Sequence, residues 1–275
     1  MHPNSSYLVC ATPRSGSTLL CEALDNTGLA GHPREYFEAL RHSGLPRRPR
    51  EYFDGLDDPE VLDLLGEYST LDTLPRRFAH GEEYRRYLAQ VFEEGTTPNG
   101  VFGAKLMWGY LPDFEANLRE IAAYRDLPLP GLLAAALPDL RYIFVTRRDK
   151  VRQAVSLWKA IQNSVWGQLE GADAAPRTGR DLVFHFAAID HLVRSMEEHE
   201  EAWRRYFAEN DIPTYHVTYE EFVSSYEATR LDLLRYLDID IPERVVFKER
   251  RMKKQADALS EEWVRRYRDL AVPVP

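Results

Sequence analysis

The chain has 275 residues, 44% of them apolar and 29% charged, with a formal net charge of −9. That is the make-up of an ordinary globular protein with room for one large α/β domain or two small ones. The acidic balance disfavours general nucleic-acid binding, which needs a basic face, and it requires any anionic ligand to be gripped by a local basic cluster.

The first element is the most informative. Residues 7–11, Y-L-V-C-A, form a short apolar run and predict a buried strand. Residues 12–17, T-P-R-S-G-S, break it with turn chemistry. From Ser17 or Thr18 an apolar-periodic stretch (Leu19, Leu20, Ala23, Leu24) predicts a helix to near Gly28. A strand, a tight loop and a helix in that order aim free backbone N–H groups and the positive end of a helix dipole into the loop. Arg14 adds a full charge, and Ser15, Ser17 and Thr18 add hydroxyls.

The loop therefore suits an oxyanion such as a phosphate or a sulfate; a plain turn with a surface arginine is the bland alternative. It is not an NTPase loop, because Ser17 stands where G-x-x-x-x-G-K-[ST] has its lysine and Ala11 where it has its first glycine. Cys10 and Arg14 are too close for a C-x5-R phosphatase loop, and a G-x-S-x-G elbow is absent. Cys10 and Cys21 have neither C-x-x-C spacing nor histidine companions, and read as small core residues of a reducing compartment.

Residues 29–37 predict a short extended piece and a proline turn carrying Glu35. In a doubly wound sheet this loop would join the Arg14 loop above the strand carboxyl ends. Residues 41–58, rich in Pro, Gly and Arg, predict a surface loop, closed by Asp58-Pro59 as a helix start. Helices are expected at 60–68 and 82–94, the second ended by Gly95. A strand is expected at 100–108, with Lys105 near its end and Trp108 last. Helices at 112–123 and about 131–136 follow. Residues 141–146, R-Y-I-F-V-T, are the clearest strand in the chain. It ends in Arg147-Arg148-Asp149 and leads into a helix at 151–166.

A loop around 171–179, an amphipathic helix over about 181–210, a short strand at 212–217 and a helix from Thr218 past Leu234 complete the pattern. The end carries a basic run at 248–254 and an amphipathic helix after Ser260. Alternating strands and helices call for a parallel sheet covered on both faces. No apolar run is long enough to span a membrane and no signal peptide is visible, so a cytoplasmic location is expected.

Two strand ends thus carry arginine: Arg14-Ser15-Gly16-Ser17-Thr18, and Arg147 with Ser156 further along the next helix. A metal-dependent NTPase would end its second strand in an aspartate that helps hold Mg²⁺. Here the strand ends in cations, which suits a ligand with two separated anionic groups; a solvated strand end is the alternative.

T-P-R-S-G-S-T-L-L resembles the 5′-phosphosulfate loop of sulfotransferases, and R-R-D-K-V-R-Q-A-V-S-L-W resembles their 3′-phosphate motif. H-P-R-E-Y-F, G-A-K-L-M-W and Q-A-D-A-L-S-E-E-W are similar to the bacterial trehalose 2-sulfotransferase branch. The resemblance runs from about residue 7 to 267. It implies a P-loop-like three-layer α/β fold, a central parallel sheet flanked by helices, as a single sulfotransferase domain over residues 1–275. It implies 3′-phosphoadenosine-5′-phosphosulfate (PAPS) as donor, PAP as product, no metal, and a carbohydrate or glycoside acceptor.

Carried over by position, Arg14, Ser15, Gly16, Ser17 and Thr18 hold the 5′-phosphosulfate, Arg147 and Ser156 hold the 3′-phosphate, and Glu35 is the catalytic base. Tyr219 falls in a segment near the adenine. Lys105 either reaches the acceptor or sulfate or caps its strand, and Trp108 is core or pocket wall. The resemblance allows a homodimer. Trehalose, another glycoside, a glycolipid head group and a sugar-bearing natural product all stay open as acceptors. A metal-dependent NTP kinase on a degenerate loop and a non-catalytic nucleotide-binding protein are the competing readings.

Overall fold

In a computed structural model the described residues are 2–38, 49–65, 81–163, 181–243, 247–249, 251 and 257–271. Four strands form one parallel sheet in the order β2-β1-β3-β4: β1 (Ser5–Ala11), β2 (Val101–Met107), β3 (Leu140–Thr146) and β4 (Thr214–Thr218). Parallel neighbours need crossovers, and helices supply them. They are α1 (Ser17–Asp25), α2 (Pro59–Leu65), α3 (Gly81–Gly95), α4 (Leu111–Arg119), α5 (Leu129–Ala136), α6 (Lys150–Asn163), α7 (Phe186–Glu209), α8 (Tyr219–Ser224), α9 (Tyr226–Tyr236) and α10 (Ala258–Ala271).

β2 is buried at all seven positions and β1 at all but its first. Side chains alternate between faces along a strand, so continuous burial means both faces of the sheet are covered, as expected of the three-layer α/β fold. Tyr7, Leu8, Val9, Cys10 and Ala11 are each 0% exposed.

The chain leaves β1 for β2 on one side and returns to β3 on the other. The direction of winding therefore reverses between β1 and β3. That reversal opens a crevice at the strand carboxyl ends, where ligands of such sheets bind.

Four expectations change in detail. The last strand lies at Thr214–Thr218 rather than 212–217. The helix after it breaks at Ser225, whose φ of −132° and ψ of 41° are not helical, giving α8 and α9. The helix expected at 112–123 ends at Arg119, whose guanidinium turns back to donate to the carbonyls of Arg125 and Leu127. Within the expected surface loop, Pro49–Phe53 is a turn of 3-10 helix that buries Phe53 against Trp158. The loop at 171–179, all of 41–48, and the ends of the helices expected at 60–68 and 151–166 (residues 66–68 and 164–166) lie outside the described residues.

Candidate active site

The turn after β1 is built by Ser15 N–H donating to the Thr12 carbonyl. Arg14 takes a φ of 61° and Gly16 a φ of 92°. Gly16 is the residue before the first turn of α1, and no side chain caps that turn. The leading N–H groups of α1 are thus left to face a ligand. Glycine is required at 16 twice over: the backbone is left-handed, and a Cβ there would lie 2.4 Å from Tyr219 Cδ2.

Arg14 and Arg147 meet at the carboxyl ends of β1 and β3. Arg14 Nε donates to Ser156 Oγ at 3.0 Å. Arg147 Nη1 donates to the Arg14 carbonyl at 3.3 Å, and its guanidinium lies 4.8 Å from the centre of the Tyr219 ring. Burial, and after it the like charge of Arg147, brings Arg14 down to about 10, with Tyr52 acting in the other direction. Burial also lowers Arg147, against Tyr219, Glu220 and Asp149. Two half-buried cations disfavoured in this way are stabilised by anionic groups bound beside them. Ser15 Oγ and Arg147 Nε are buried without a hydrogen-bond partner. Each such group costs about 1–3 kcal/mol, and an oxyanion beside each would satisfy them.

Arg148, beside Arg147, is spent elsewhere. It forms an exposed ion pair with Glu221. Lys150 underpins the strand end from below, donating to the Arg147 carbonyl and to Glu200, which is 4% exposed.

The second half of the site comes from the segment after α1. Gly31, at φ 67°, sits so close to β2 that a Cβ would lie 2.7 Å from the Gly103 nitrogen. This approach lets Arg34 form a parallel bridge to Ala104, with Lys105 N–H donating to the Arg34 carbonyl at 2.8 Å. Glu35 is thereby set beside Lys105. Lys105 Nζ lies 2.6 Å from Glu35 Oε1 and 3.0 Å from Thr18 Oγ1. Lys105 is 6% exposed, whereas the Glu35 side chain keeps 29% of its surface open.

Trp108 follows β2 directly and packs edge-on against Trp203 at 5.0 Å, forming wall rather than an open face. Trp203 in turn donates to the last carbonyl of β1, that of Ala11, at 3.2 Å.

Among the described residues no histidine is shown beside Lys105 as Glu35 is. His32 is engaged by Asp25 at 2.5 Å. His185 is not on the long helix but caps it, accepting from Ala188 N–H. His191 packs on Phe53. Cys10 and Cys21 are both buried; burial pushes the Cys10 thiol well up and takes Cys21 to about 12. Of the basic run, the backbones of Lys248, Glu249 and Arg251 are tied across α1 by Asn26 and Glu22. Residues 250 and 252–254 lie outside the described set. Among the described residues no group of three or more His, Cys, Asp or Glu is placed to hold a metal, and no helix is long and apolar enough to cross a membrane.

Gln153, fully buried on α6, escaped the sequence reading. Its Nε2 donates to Thr12 Oγ1 at 2.8 Å and to the Pro13 carbonyl at 2.6 Å. The available signal was a polar residue three before Ser156, on the turn of helix that faces the first loop.

Residues 6–269 match the family model described as Stf0 sulphotransferase. The trehalose 2-sulfotransferase of Mycobacterium tuberculosis (strain ATCC 35801 / TMC 107 / Erdman) is 37% identical over 270 residues, 95% of this chain and 94% of its own. That of Mycolicibacterium smegmatis (strain ATCC 700084 / mc(2)155) is 35% identical over 274 residues, 97% of this chain and 95% of its own. The sulfotransferase domain of the Synechococcus PCC 7002 olefin synthase aligns with 100% of this chain and 90% of its own at 13% identity; its TM-score of 0.44 is too low to carry weight.

Proposed function

The chain belongs to the Stf0 sulphotransferase family, and from that premise we propose that it moves a sulfuryl group from PAPS to a hydroxyl of a carbohydrate or glycoside acceptor of the trehalose kind. The trehalose 2-sulfotransferase relatives support this acceptor class. One observation carries the rest. The half-buried Arg14 and Arg147 sit at the β1/β3 crevice beside an uncapped helix start, and Lys105 links that helix's first turn to Glu35.

In this reading Arg14, Ser15, Gly16, Ser17 and Thr18 hold the 5′-phosphosulfate. Arg147 and Ser156 hold the 3′-phosphate, and the Tyr219 ring, beside Gly16 and Arg147, bounds the nucleotide. PAPS supplies the activated sulfuryl group. Glu35 takes the proton of the acceptor hydroxyl as that oxygen bonds to sulfur and the bond from sulfur to the 5′-phosphate oxygen breaks. Arg14 and the N–H groups of α1 meet the charge that grows on the phosphate; each charge-assisted hydrogen bond contributes about 1.5–3 kcal/mol. Lys105 holds its ammonium between the base and the loop, where charge is shared in transfer. A sulfuryl group carries less charge than a phosphoryl group, so side-chain cations and backbone donors take the place of Mg²⁺.

The test is transfer from labelled PAPS to a panel of trehalose, other glycosides and glycolipid head groups, beside calorimetry with PAP and with Mg-ATP. Sulfated sugar and metal-independent PAP binding are expected. Tight Mg-ATP binding with none for PAP would return the chain to the kinase reading. PAP binding without turnover on any acceptor would leave a nucleotide-binding protein.

A further inference from the structure

We propose that Gln153 is a positioning residue that sets the Arg14 loop and thereby the grip on the 5′ end of the donor; this rests on the sulfotransferase reading above. Gln153 is 0% exposed. The Pro13 carbonyl can only accept, so the amide must turn its nitrogen to the loop, and that nitrogen also reaches Thr12 Oγ1. Three residues on, Ser156 accepts from Arg14 Nε. Consecutive loop residues 12, 13 and 14 are thus fastened to one face of α6.

That helix starts three residues after Arg147. The element that carries one cradle therefore also holds the other. The two ends of the nucleotide site are tied by α6 as well as by the sheet.

Two costs indicate that the amide is kept for placement rather than for stability. Its Oε1 is buried with no hydrogen-bond partner, a penalty that an apolar side chain of the same shape would avoid. Arg14 is held at φ 61°, a conformation that a non-glycine residue leaves when released. A loop freed from Gln153 would have to be re-formed each time ligand arrives, which weakens binding chiefly at that end.

The experiment compares wild type with Gln153→Met, which keeps length and loses the donor, by calorimetry with PAP and with adenosine 3′-phosphate. Wild type should prefer PAP. The variant should lose about tenfold in PAP affinity while adenosine 3′-phosphate stays within about twofold, the loss expected for removing a buried hydrogen-bond donor at one end of the site. Unchanged PAP affinity would overturn the proposal, and so would equal losses for both ligands, which mark general loosening. Should Gln153→Met not fold, Thr12→Val removes one acceptor and should shift PAP in the same direction by about threefold; no shift there would also overturn it. If wild type binds no PAP at all, the sulfotransferase reading falls first, a result distinct from any change in the variant.

Discussion

One buried ammonium joins two parts of the site: Lys105 Nζ is 2.6 Å from Glu35 Oε1 and 3.0 Å from Thr18 Oγ1. The lysine stands on β2 and the carboxylate on the segment bridged to it, while Thr18 belongs to the first turn of α1, the helix proposed to receive the phosphate end. The carboxylate is thus anchored beside the loop without being sealed from solvent.

Glu35→Gln keeps the shape of that side chain and removes its basicity. PAP affinity should hold within about twofold, while kcat falls by roughly 10²–10⁴, the usual worth of a positioned general base. Rates from labelled PAPS and a PAP titration on the same preparation check both. A fully active variant would place the base elsewhere.

Arg147→Ala should separate ligands by their 3′ end. PAP should weaken by roughly tenfold to a hundredfold, the loss of charge-assisted hydrogen bonds, whereas adenosine 5′-phosphosulfate, which has no 3′-phosphate, should lose little. Equal losses for both would refute the assignment of Arg147.

Arg14 gives a pH dependence with a definite sign. Burial, then the neighbouring Arg147, lowers it from 12.5 to about 10. Below that value it is charged, so PAP affinity should be flat through neutral pH and fall as pH rises through 10. The unliganded protein behaves oppositely: between 10 and 12.5 the unfolded chain binds more protons, so this residue's contribution to stability rises with pH. Calorimetry across that range should show the falling limb, and Arg14→Gln should remove it.

Gly16→Ala should be damaging for two independent reasons, its φ of 92° and the 2.4 Å approach to Tyr219. A loss of about 1–3 kcal/mol is expected from the backbone alone. A thermal melt indistinguishable from wild type would contradict this close fit.

Asp257 ties α10 to α6. It accepts from Ser260 N–H and pairs with Lys159 at 2.6 Å. Burial pushes its carboxyl up, but the Lys159 and Ser260 hydrogen bonds outweigh that and bring it to about 2. A lowered carboxylate stabilises above its ordinary value of 3.8 and loses that contribution as pH falls through 2. Asp257→Asn keeps the cap acceptor but loses the charge paired with Lys159, so it should cost about 0.5–1 kcal/mol at neutral pH, and the gap to wild type should close in acid. Urea melts at several pH values read it.

The strand–loop–helix at the amino terminus was legible because period, turn chemistry and charge all change within a dozen residues. The strand ending in Arg147 was equally plain, five strand formers in a row before a cation. Nothing local announced the break at Ser225, since no Gly or Pro stands there and the helical pattern runs on either side. Gln153 was hidden because glutamine in an amphipathic helix ordinarily faces water; its burial follows from a loop far away in sequence. The Glu35–Lys105 pairing was hidden for a related reason. It depends on the bridge between Arg34 and Ala104, and bridge register is a property of the folded sheet, not of either segment.

Ala11 and Val145 are paired across adjacent strands, so the span between the two arginine-bearing turns is measured out by backbone hydrogen bonds. The backbone beside Glu35 is joined to the sheet by a single bridge at the outer margin of β2, with the Lys105 pair holding the side chain. On the proposed reading, the half of the site that takes the acceptor is therefore the half with latitude to change, while the half that grips the donor is fixed by the sheet.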